Sequence, residues 1–184
     1  MAFIDDLPKD AVLLDVFRAN RGVSMPLMDL HEAILRAPDS PFSEVEREMI
    51  AVFVSGLNGC RYCQGPHLGT VKAYGGDPQV IVDALEDPNF DGVPDSLRPV
   101  LTYARKLNEQ PASVTREDAD AILAAGWPAR AIHDTVAVVA MFNFMNRYVE
   151  GLGIEGSEEY YEMGGKRLRR VGYAGLKTLI AEDG

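Results

Sequence analysis

Residues 48–75 read EMIAVFVSGLNGCRYCQGPHLGTVKAYG. Apolar Ile50, Phe53, Val54 and Leu57 recur at three- and four-residue steps, which predicts a helix with one core face. Asn58-Gly59 breaks that helix. A second helix follows, with Asn58 as its expected N-cap and Gly75-Gly76 as a glycine stop. Both cysteines of the chain, Cys60 and Cys63, fall in this second helix, together with His67, one of three histidines. The first helix brings Glu48, twelve residues before Cys60.

The same pattern extends outward. Leu27, Leu30, Ile34 and Leu35 predict a helix from about Pro26 to Arg36, carrying His31. Ala37 to Phe42 is a turn, and Ser43-Glu-Val-Glu46 is a capping box that starts the helix at Glu44. Downstream, helices are expected over 78–86, 96–108, 115–125 and 128–149, with a loop over 87–95. The segment AVVAMFNFM is apolar almost all round, which suits a central helix. Residues 157–163 read as a short helix, and 164–184, with five basic residues, as a mobile or partner-bound tail. No segment shows the period-two alternation of strands. The expected fold is all-α, a bundle of about seven or eight helices in one domain over 1–184, with its core at roughly 25–155.

Composition narrows the function. The 184 residues carry a net charge of −10, which argues against nucleic-acid partners. Acidity equally disfavours an anionic membrane surface. The N-terminus has neither a basic region nor a long apolar stretch, and no apolar run reaches the length of a membrane span. The expected setting is the cytoplasm, where a lone C-x-x-C is catalytic or metal-binding more often than a structural staple.

Steps of three and four residues place Cys60, Cys63 and His67 on one helix face. A helix N-terminus favours a thiolate at Cys60, whereas a neighbouring base favours Cys63. His67 needs an orienting partner, and Glu48 is a candidate. Three other readings compete. By its position alone Glu48 reads rather as a solvated first-turn acid. Cys60, Cys63 and His67, with His133 or Glu48, would make a metal site. Two cysteines and a histidine also pack in ordinary cores.

Glu48, then eleven residues, then Cys60-x-x-Cys63-x-x-x-His67 in an all-helical chain resembles alkyl hydroperoxidase D (AhpD) and the wider carboxymuconolactone decarboxylase superfamily. Residues 40–67 and MFNFMNRYVEGLG over 141–153 are similar to the peroxidase-related branch. The resemblance implies an antioxidant dithiol peroxidase that needs no cofactor and no metal. Cys63 would attack a hydroperoxide and pass through a sulfenic acid, Cys60 would resolve it as a disulfide, His67 would be the base, and Glu48 would orient it. It also implies a dithiol reductant, such as a lipoyl-bearing protein, and a homo-oligomer. Well-known members carry a histidine just before the second cysteine; Tyr62 stands there instead. The alternatives are a decarboxylase-type enzyme on the same scaffold and a non-enzymatic metal-binding or interaction module.

Overall fold

The computed structural model describes residues 2–182, and ten α-helices and no strand occur among them. Eight of the helices have seven residues or more. The order is α1 Leu13–Ala19, α2 Arg21–Leu35, α3 Glu44–Leu57, α4 Arg61–Ala73, α5 Pro78–Asp83, α6 Arg98–Glu109, α7 Arg116–Ala124, α8 Ala129–Glu150, α9 Glu158–Val171 and α10 Leu176–Ala181. A single 3₁₀ turn, Pro111–Ser113, joins α6 to α7.

Helix α3 is the axis of the domain. Every residue from Arg47 to Ser55 is buried, and the helix packs against α4, α5, α6 and α8. Its start is the expected capping box: Ser43 Oγ accepts from the Glu46 amide at 3.3 Å, and the Ser43 amide donates to Glu46 Oε2 at 2.8 Å. A cap of this kind contributes about 1 kcal/mol.

The end of α3 differs from the sequence expectation. Asn58 closes α3 instead of opening α4. Gly59, at φ +68°, takes the left-handed position that a side chain would strain. The Cys60 amide then donates back to Ser55 O at 2.9 Å and the Gly59 amide to Gly56 O at 2.9 Å, a Schellman closure. This frees the Asn58 side chain, which donates to Asn146 Oδ1 at 2.8 Å and accepts from Asn108 Nδ2 at 3.0 Å. Asn146 in turn donates to Ser55 Oγ at 3.1 Å. A chain of amides thereby locks the α3–α4 turn to α6 and α8.

Two further differences concern the ends of the chain. Helix α2 starts at Arg21 and carries Pro26 inside it; the helix continues through the proline although one backbone bond is lost. The stretch read as a short helix and then a tail forms α9 and α10. Helix α9 lies along α4, and α10 packs on α1 and α2. The two final residues of the expected tail, 183 and 184, lie outside the described residues. The α4–α9 approach is backbone to backbone: a Cβ built on Gly165 would stand 2.7 Å from Gly69 Cα. No helix among the described residues is long and apolar enough to cross a membrane.

Candidate active site

Cys60 is the N-cap of α4, not its first helical residue. Its Sγ accepts from the Cys63 amide at 3.4 Å, doing what a serine or asparagine does at other helix starts. Both cysteines are buried and unbridged. His67 follows Cys63 by one turn, and both line a cavity of about 110 Å³. The walls are mostly apolar, among them Phe17, Met28, Phe142 and Met145; His31, Tyr62 and Tyr173 also line it.

Glu48 is fully buried, which removes the reading of a solvated first-turn acid. Its two oxygens are divided between partners. Oε2 accepts from His67 Nδ1 at 2.6 Å. Oε1 accepts from Arg36 Nη2 at 2.7 Å and from the Tyr173 hydroxyl at 2.9 Å. Burial pushes the carboxyl pKa up, but His67 and Arg36 outweigh it and hold Glu48 below the usual carboxylate range. Burial acts against the Arg36 cation, and Glu48 more than restores it, so the guanidinium pKa is raised. Arg36 is further held over the Tyr173 ring, 4.9 Å from its centroid. With Nδ1–H committed to the carboxylate, the bare nitrogen of neutral His67 is Nε2.

The cysteines are not equivalent. The hydrogen bond to Cys63, then burial, push the Cys60 thiol pKa well up, and the Cys63 amide offsets only part of this. The N-terminal position expected to favour a Cys60 thiolate is therefore outweighed by what surrounds the sulfur.

Tyr62 is a structural clamp. It accepts a 2.7 Å bond from the Leu13 amide, which ties α1 to α4, and its ring packs between Tyr160 and Tyr161. His133 is exposed and pairs with Asp134. Among the described residues no three His, Cys, Asp or Glu side chains converge as metal ligands.

Three members of the site escape sequence reasoning: Arg36, Tyr173 and, as a cavity wall, His31. Arg36 reads as an ordinary cation at a helix end. Tyr173 sits in the segment expected to be a tail, and its place is fixed by Glu32, whose Oε2 accepts from the Tyr173 and Ala174 amides at 2.7 and 2.9 Å. No local pattern announces a partner 125 residues away.

The carboxymuconolactone decarboxylase family model matches residues 26–94, the span from α2 through the thiols to α5 and the loop beyond it. An uncharacterized peroxidase-related protein from Silicibacter sp. TM1040 superposes with a TM-score of 0.73 and 27% identity, over 81% of this chain and 78% of its own. The fold is AhpD-like, and over residues 26–94 the chain is similar to the carboxymuconolactone decarboxylase family. A peroxidase-related protein of the alkylhydroperoxidase AhpD core from Ralstonia eutropha JMP134 shares the AhpD-like fold at a TM-score of 0.74, with 24% identity over 83% of this chain and 79% of its own. Human Sestrin-2 is 24% identical over 128 residues, 68% of this chain. That match spans a quarter of the length of Sestrin-2.

Proposed function

We propose that this chain is a dithiol peroxidase in which Cys63 reduces a hydroperoxide and Cys60 closes the disulfide. The observation that carries the reading is His67, held through Nδ1 by a buried carboxylate and lining one cavity with Cys63. In the first step Nε2 of His67 takes the Cys63 proton, and the thiolate attacks the terminal oxygen of ROOH. The O–O bond breaks, Cys63 becomes a sulfenic acid, and the proton on His67 passes to the leaving alkoxide as ROH. Glu48 stabilises the imidazolium that exists between the two transfers. In the second step the Cys60 thiol attacks the sulfenic sulfur, forming the Cys60–Cys63 disulfide and releasing water. A dithiol then reduces the disulfide by exchange. The raised Cys60 thiol suits this order, because Cys60 stays protonated while Cys63 reacts.

The relay is shorter than in members with a second histidine, since Tyr62 is buried in a clamp and raised far out of range for a base, chiefly by burial. A homo-oligomer, a lipoyl-type reductant and a cytoplasmic setting belong to the same proposal and are carried by the resemblance. The test is a thiol titration before and after tert-butyl hydroperoxide, with mass spectrometry of the linkage. Two thiols should become one intramolecular disulfide. Turnover with dithiothreitol that survives in Cys63→Ser would exclude the assignment.

A further inference from the structure

His31 is a second histidine on the same cavity, and the mechanism above does not use it. It is 3% exposed. Its ring stacks on Tyr173 with centroids 5.2 Å apart and meets Phe142 edge-on at 6.4 Å. His67 shares both neighbours, at 6.3 Å from Tyr173 and 4.8 Å from Phe142. The two imidazoles are thus two walls of one aromatic box that also contains Cys63.

The tautomer of His31 follows from its partner. Nδ1 lies 2.8 Å from Leu27 O, a carbonyl that only accepts, so Nδ1 carries the hydrogen. Burial, with a smaller contribution from His67, pushes the imidazole down to about 4, and the ring is neutral at ordinary pH. Nε2 is then a bare acceptor. Nδ1 is turned to the backbone of α2, so the edge offered to the cavity carries Nε2. A bare acceptor on the wall of a mostly apolar cavity is suited to a donor from whatever fills that cavity.

We infer that His31 Nε2 accepts a hydrogen bond from the O–H of the hydroperoxide and so presents the terminal oxygen to Cys63. The inference rests on the dithiol reading for its reaction but not for its binding site. The cavity takes the protonated hydroperoxide, ROO–H, by its hydroxyl at His31 and its alkyl group against Phe17, Met28 and Met145. The hydroxyl oxygen becomes the sulfenic oxygen, and RO⁻ leaves toward the proton on His67. The two histidines therefore divide the substrate: one holds the oxygen that stays, the other protonates the oxygen that goes.

The experiment compares two reagents for Cys63 in the full chain. tert-Butyl hydroperoxide, with dithiothreitol as reductant, offers an O–H. Methyl methanethiosulfonate reacts with the same thiol and offers no donor. His31→Phe should lower kcat/KM for the peroxide about tenfold, the worth of one hydrogen bond, and His31→Gln should restore most of it. The methanethiosulfonate rate should stay at the wild-type value in both. Equal losses with both reagents, or no loss with the peroxide, would overturn the proposal. A second arm needs no turnover: in the wild-type chain, tert-butanol should shift the ¹⁵N signal of His31 Nε2, and neopentane should not. If tert-butanol shifts it while no peroxide is consumed, the hydroxyl site stands and the peroxidase reading falls. An Nε2 signal indifferent to tert-butanol removes the site.

Discussion

His67 and His31 line one cavity, share Tyr173 and Phe142 as ring neighbours and are both buried, yet different atoms stand behind Nδ1. Behind His67 is a carboxylate that is itself held by an arginine and a tyrosine. Behind His31 is a helix carbonyl. A carboxylate lets the ring carry a charge while a proton is in transit; a carbonyl orients the ring and leaves the charge uncompensated. In the proposed chemistry the partner on the far side of the ring, more than burial or the cavity itself, separates a proton carrier from an acceptor.

The sharpest way to break this contrast is to remove what His67 serves. Cys63→Ser should lose all turnover with dithiothreitol, while Cys60→Ser should still form a sulfenic acid that dimedone traps and mass spectrometry detects. Next in size is Glu48→Gln, which puts a neutral amide behind His67 and makes it resemble His31. It also strands the buried Arg36 cation, so chemical unfolding should show a loss of about 3–5 kcal/mol. Turnover in the folded fraction should drop roughly a hundredfold or more.

Acid should separate the two rings by a different route. The His31 pKa is about 4 in the folded chain against 6.5 when unexposed to these neighbours, so between those values the unfolded chain binds a proton that the folded chain refuses. Stability must then fall as pH drops from 6.5 toward 4, by about 3 kcal/mol once the lower value is passed. His31→Phe should flatten that part of the curve. Glu48 acts further down: its depressed carboxyl stabilises the fold above the ordinary carboxylate range and loses that contribution as pH falls through its folded value. Chemical unfolding across the pH range, in both proteins, checks this. The smallest effect is Tyr173→Phe, which deletes one hydrogen bond to Glu48 and should cost about 1 kcal/mol with less than tenfold change in turnover.

The all-helical architecture and the α3–α4 hinge were legible because apolar spacing, a capping box and Asn-Gly are local signals. Glu48 was legible only through its resemblance to a family pattern; its position alone favours a surface acid. Cys60 was misplaced by one cap, because a thiol accepting at a helix start looks in sequence like a helical residue. Asn58 was misassigned for a related reason: asparagine suits a cap, and its three-way amide contacts with Asn108 and Asn146 are contacts across long stretches of chain. Of the C-terminal helices, only the start of α9 was legible; beyond residue 163 the basic residues and glycines break up the apolar spacing. There the closest approach is glycine on glycine, and the buried Leu168, Tyr173 and Ile180 are too widely spaced to mark a helix face.

That contact between Gly69 and Gly165 has a consequence for the shape of the cavity. Gly164, beside it, lines the cavity, and so do Arg167 and Leu168 on the next turn of α9. The spacing of α9 from α4 therefore sets one wall of the cavity that Cys63 lines. A single methyl at position 165 would meet the Gly69 backbone and act as a wedge, lifting one wall of the cavity. The width of the cavity is thus set at two positions that have no side chain.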